Sequence, residues 1–184
     1  MPHDNVASPS TILAFWREAG PDKWFKKDAA FDDAIQARFL ATYEAAAAGT
    51  LADWGDTPEG ALALLIALDQ FPRNMFRGSP RTFVADPLAR QIADRVIARG
   101  FDQQVAAAER GFFYLPFMHS EQLADQERCC VLYRALGDDN GLKYALDHAD
   151  IIRRFGRFPH RNAVLGRTTT PDEQAFLDSG GFAG

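Results

Sequence analysis

Five times in this chain a serine, threonine or aspartate is followed directly by proline: Ser8-Pro9, Thr57-Pro58, Ser79-Pro80, Asp86-Pro87 and Thr170-Pro171. Proline is tolerated in the first helical turn, and a small polar residue before it can cap the open N–H groups, so each pair predicts a helix start. Thr170 adds Glu173 three residues on, the pattern of a capping box. Glycines 20, 49, 100 and 137 close such runs where a left-handed residue is wanted. Read between these marks, helices are predicted over 9–19, 29–48, 58–71, 81–85, 87–99, 102–116, 121–136, 142–157 and 171–178. Composition agrees: 30 Ala and 16 Leu stand against 6 Val and 7 Ile, and the first pair favours helix while the second favours strand. The fold class expected is all-α.

At 184 residues, and about 150 per domain, one domain over 1–184 is expected, with a core of about 9–178. The connections are short and no Ser/Gly linker shows, which points to a single array of antiparallel helix pairs. Helix 58–71 is apolar on every side and is expected at the centre. There Leu62, Leu65, Ile66 and Asp69 share one stripe, so Asp69 must be paired or protonated. In helix 142–157, Tyr144, His148, Ile151, Ile152 and Phe155 form the inward stripe.

The net charge of −5 argues against nucleic acid and anionic membranes as partners. The longest apolar run, Ala61 to Leu68, is too short to span a bilayer. The first residues, Met-Pro-His-Asp-Asn, hold no cationic stretch ahead of a long apolar run, so no signal peptide is read. Cys129 and Cys130 are neighbours that cannot form an ordinary disulfide within a helix. They read as reduced core thiols, and a cytoplasmic location is expected.

Chemistry concentrates in two corners that echo each other, Phe71-Pro72-Arg73-Asn74 and Phe158-Pro159-His160-Arg161-Asn162. A proline disfavours helix at the residue before it, so both Arg-Asn pairs are expected where a helix ends. From Ile151 to Pro171 there are five arginines and no acid. If the two corners meet, Arg73, Arg77, Arg153, Arg154, Arg157, Arg161 and Arg167 could grip a phosphate or carboxylate, with Asn74 and Asn162 adding hydrogen bonds and Asp69 orienting an arginine. The alternative is that the arginines neutralise Asp69, Asp147, Asp150 and helix-end carbonyls. His119, Glu121 or His160 would supply any proton transfer. Ser120 beside His119 is no nucleophile motif, and Ser120 and Glu121 are accounted for as cap and first turn of the next helix. Neither a His-Glu-x-x-His nor a di-iron pattern occurs, so neither metal nor cofactor is expected.

The runs Ile12-Leu13-Ala14-Phe15-Trp16, Trp24-Phe25, Leu68 to Asn74, Pro116 to Glu121 and Arg153 to Asn162 together resemble the bacterial domain-of-unknown-function family 924. The resemblance spans about Ile12 to Leu177 and implies a tetratricopeptide-like superhelix of stacked helix pairs. It implies no established activity, and no regular 34-residue repeat is visible in the chain. Two functions are therefore carried forward. One is an arginine-rich pocket for a small anion, with or without catalysis. The other is a noncatalytic scaffold whose groove takes an acidic peptide or partner helix. Oligomeric state is left open.

Overall fold

The computed structural model describes residues 5–182; Met1 to Asp4, from which the absence of a leader is read, lie outside them. The described residues are all-α, with helices, 3-10 turns and no strand. Ten α-helices are assigned: α1 (Pro9–Ala19), α2 (Pro21–Trp24), α3 (Ala29–Ala47), α4 (Pro58–Leu65), α5 (Phe71–Met75), α6 (Asp86–Ala98), α7 (Gly111–Met118), α8 (Leu123–Leu136), α9 (Asp139–Phe155) and α10 (Pro171–Asp178). None is long and apolar enough to cross a membrane.

The Ser/Thr-Pro marks hold at Ser8, Thr57 and Thr170, whose hydroxyls accept from the N–H groups of Thr11, Gly60 and Glu173. At Asp86-Pro87 a helix starts as expected, but Asp86 lies in the first turn of α6 behind Ala85 and makes no side-chain cap, while Ser79-Pro80 opens only a 3-10 turn. The helix expected over 102–116 is also corrected. Asp102–Gln104 and Ala107–Glu109 are 3-10 turns, and α7 begins at Gly111 and continues through Pro116. Buried Asp102 accepts from the Tyr114 hydroxyl (2.8 Å) and from Gln103 Nε2 (2.5 Å), contacts that hold this stretch away from a regular helix.

Contacts gather into two compact units, residues 5–77 with 81–116, and residues 78–80 with 117–182. The dividing point falls within α7 and no linker marks it. In the first unit α4, a π-helical turn (Ile66–Gln70) and α5 form one continuous buried rod. It packs on α1, α3 and α6. An aromatic cluster closes around it: Phe39 stacks on Phe71 at 4.9 Å, and Trp16 meets Phe71 edge-on at 5.8 Å. Burial of such rings contributes about 1.5–3 kcal/mol each relative to leaving them exposed. In the second unit α8 and α9 form an antiparallel hairpin turning at Gly137, and Ile151, Ile152 and Phe158 make a smaller core. Cys129 and Cys130 are free and buried; burial pushes both thiols up, so they stay protonated.

Candidate functional site

Both corners carry the candidate residues, and they are built differently. In the first unit the helix does not stop at Phe71. That residue is fully helical (φ −57°, ψ −41°), and its N–H reaches back five residues to the Ile66 carbonyl. The wider π turn takes up the Pro72 ring, which a regular α turn would drive against the Leu68 carbonyl. Arg73 and Asn74 therefore sit in a last helical turn, ending at Phe76, rather than past the helix end. In the second unit α9 stops at Gly156, left-handed at φ 70°, a conformation glycine adopts without the strain of a Cβ. Phe158 is extended, and Pro159 opens a 3-10 turn through Arg161. Here the expected corner is present.

In the first corner, Asp69 is 1% exposed. Its Oδ2 accepts from Gln70 Nε2 at 2.6 Å, and Arg73 Nη1 lies 3.4 Å from its Oδ1. Arg73 also grips Asp86 with two bonds, 2.9 and 3.0 Å. Arg77 grips Asp32 at 2.6 and 3.1 Å, while Asn74 Nδ2 donates to the same carboxylate at 2.7 Å.

The second corner repeats that device with other residues. Arg157 grips Glu173 at 2.6 and 2.9 Å, and Asn162 Nδ2 donates to the same carboxylate at 3.1 Å. Asn162 Oδ1 accepts from Arg167 Nε, and Arg167 grips Glu121 at 2.8 and 3.0 Å. Glu121 also accepts the Phe158 N–H at 2.8 Å. Glu173 meanwhile closes the capping box of α10 by accepting the Thr170 N–H. Arg157 → Glu173, Asn162, Arg167 and Glu121 thus form one connected charge network.

The network sets the protonation states. The Arg157 fork, opposed by burial and helped by the Thr170 N–H, holds the Glu173 carboxyl down to about 2. Burial pushes Glu121 up, but Arg167, the Phe158 N–H and nearby Arg161 outweigh it, leaving its pKa below the ordinary carboxylate value. An ionised, doubly gripped Glu121 is a poor proton donor. Burial, then Arg161 and His148, press His160 down to about 4, so its imidazole is neutral near pH 7. His160 Nδ1 is buried without a hydrogen-bond partner, and the ring packs on Phe158 and Phe182. His148 is buried as its stripe predicts, with Nδ1 donating to the Tyr144 carbonyl at 2.8 Å.

The remaining candidates stand apart from the network or at its edge. Arg161 donates to the His119 carbonyl at 3.0 Å and lies over the Phe158 ring. His119 is thereby held through its backbone. Arg154 lies over Phe155 and Phe176. Arg153 makes an exposed pair with Asp150 at 3.6 Å, worth little. Ser120 does not cap a helix, because α8 starts only at Leu123. Its hydroxyl donates to Asp125 and accepts the Gln122 N–H, and Glu121 turns aside to Arg167. Among the described residues, no group of three or more His, Cys, Asp or Glu side chains is placed to hold a metal ion.

Sequence reasoning missed the carboxylates. Asp32, Asp86 and Glu173 complete the arginine forks from 45, 13 and 16 positions away. Glu173 had a signal, the capping box, but one that explained it without reference to an arginine. Asp86 reads only as a cap ahead of Pro87, and Asp32 carries no signal of its own.

No curated protein matches this chain. A solved structure of a protein of unknown function from Agrobacterium tumefaciens is similar to it at 50% identity and a TM-score of 0.91, covering 93% of this chain and 97% of that one. The profile of a bacterial family of unknown function, DUF924, matches residues 12–181. The all-helical architecture, the two Arg-Asn corners and a match over nearly the whole length converge: this chain belongs to the DUF924 family.

Proposed function

We propose that this chain is a noncatalytic helical binding module of the cytoplasm, in which the two arginine corners are internal clamps and recognition of a peptide or partner helix falls to the surface. One observation carries the reading: Arg73, Arg77, Arg157 and Arg167 are each gripped bidentately by a carboxylate of their own unit. A guanidinium fork filled in this way has its paired donors used, and an incoming phosphate must first displace a carboxylate of the chain itself. The protonation states lend support, since Glu121 is ionised and His160 is too weak a base near pH 7 to bind a proton well. Surface apolar side chains on α8 and α9, namely Val131, Tyr144 and Leu146, offer apolar contacts of the kind a partner helix uses. Free, buried thiols at Cys129 and Cys130 fit a reducing compartment.

The competing reading, a small anion held by the arginines, is tested directly by thermal melting at constant ionic strength. Phosphate, sulfate, succinate and ATP are titrated against wild type, Arg77→Ala and Arg157→Ala. The module reading predicts that no anion raises the wild-type midpoint, while both variants melt lower in every buffer. Stabilisation of wild type by one anion, lost in the variants, overturns it. A ligand at 100 times its dissociation constant adds about 2.7 kcal/mol, several degrees for a chain of this size.

A further inference from the structure

In the second unit the segment after α10 turns back onto the core. Gly180 is left-handed at φ 81°, and the N–H groups of Gly180 and Gly181 reach back to the carbonyls of Leu177 and Phe176 at 3.2 and 3.0 Å, the paired bonds of a Schellman turn. Gly181 passes so close to the Phe176 ring that a Cβ there would stand 2.6 Å from it, and Phe176 itself packs on Phe155. The turn delivers the Phe182 ring onto two imidazoles. Its centroid lies 4.5 Å from that of His148 and 5.1 Å, edge to face, from that of His160. Both histidines also pack on Phe158. Phe158 is fully buried in the small core, whereas Phe182 is 37% exposed, so Phe182 is the phenyl ring that can leave the two imidazoles without opening that core.

The two histidines meet a proton differently. An imidazolium donates from both nitrogens. His148 Nδ1 already faces the Tyr144 carbonyl at 2.8 Å, but His160 Nδ1 is buried with no acceptor, and a buried charged donor left unpaired is costly. The charges around His160 oppose its protonation as well: Arg161 on its own 3-10 turn, His148 on α9 and Arg167 beyond the turn, against Glu121 alone, which Arg167 already grips. We propose that Phe182 is an acid-released latch: it stays docked while His160 is neutral and swings away when His160 takes up a proton, uncovering the two imidazoles while the helices stay folded. Linkage gives the sign. Covered, His160 is held down to about 4, against 6.5 ordinarily, so below 6.5 the proton binds the uncovered ring more tightly and acid favours release. At pH 5 the shift toward release is on the order of 30-fold.

NMR titration of the histidine rings tests it in wild type and in Phe182→Ser, which removes the covering ring and no hydrogen bond. His160 is expected to titrate near 4 in wild type and at least about one pH unit higher in Phe182→Ser, a tenfold gain in proton affinity. A trifluoromethyl-phenylalanine placed at position 182 reads the latch itself. Its single fluorine resonance is expected to move from a packed to a solvated position between about pH 6 and 4, with far-UV circular dichroism at about pH 5 still that of the neutral protein. In His160→Gln the resonance is expected to stay in the packed position at about pH 5. Equal His160 titration in wild type and Phe182→Ser, or a fluorine shift that persists unchanged in His160→Gln, overturns the proposal. The comparison with Phe182→Ser, a surface substitution, decides the matter even where His160→Gln fails to fold.

Discussion

Phe71-Pro72-Arg73-Asn74 and Phe158-Pro159-His160-Arg161-Asn162 are close in sequence and different in backbone. The first runs inside a helix and the second leaves one. The residues just upstream decide. Gly156 stops α9 two residues before Phe158, whereas Ile66–Gln70 has no glycine and is buried throughout. Burial there favours continued helix, and a π turn absorbs the proline. What the two share is chemical: in each, an asparagine amide and a bidentate arginine hold one carboxylate. The same clamp has been assembled on two backbones, with Asp32 in one unit and Glu173 in the other.

The clamps differ in burial, and that gives the largest expected contrast. Glu173 is 3% exposed in its side chain and Asp32 13%. Glu173→Ala removes the capping box as well as the clamp, leaving Asn162 and Arg157 to face a gap, and should cost about 2–4 kcal/mol by urea unfolding. Asp32→Ala, more open to water, should cost about 1–2 kcal/mol. Equal costs would break the contrast.

Acid should sharpen it. His160 is held down to about 4 in the fold against 6.5 ordinarily, so the unfolded chain takes the proton first and stability falls as pH drops from 6.5 toward 4. Allowing for its partial exposure, the loss is about 1–2 kcal/mol. Glu173, at about 2 against 4.5, contributes stability above 4.5 that is lost below it, toward 2. Unfolding at stepped pH should show His160→Gln losing the first decline and keeping the second. A decline unchanged in that variant would remove His160 from the account.

The backbone difference yields the smaller pair. Gly156→Ala forces a left-handed residue to carry a Cβ and should cost about 1–2 kcal/mol. Pro72→Ala restores an ordinary helix residue where the backbone is already helical and should change stability by less than about 1 kcal/mol. A larger cost for Pro72→Ala would mean that the ring, and not the upstream sequence, shapes the π turn.

Much of the helix order could be read in the sequence because proline and glycine act locally. Ser8, Thr57 and Thr170 cap as their spacing predicts, and the unbroken apolar run 61–68 is central because no face of it suits water. Asp102–Glu109 misled because tertiary bonds from Asp102 to Tyr114 override helix propensity there. The division within α7 was invisible since it needs no linker. At the corners the arginines and asparagines were legible, but their partners were not: Asp32, Asp86 and Glu173 reach them only through packing, and an acid in a first helical turn looks the same whether or not an arginine awaits it.

The central claim is that the corner arginines brace the fold through carboxylates of the chain itself. A double-mutant cycle on Glu121 and Arg167, in chemical denaturation with and without phosphate, tests it most directly. The account predicts a coupling of about 1–2 kcal/mol that phosphate leaves unchanged. A coupling near zero, or one that phosphate replaces by stabilising the Glu121→Ala variant through a freed Arg167, would contradict it.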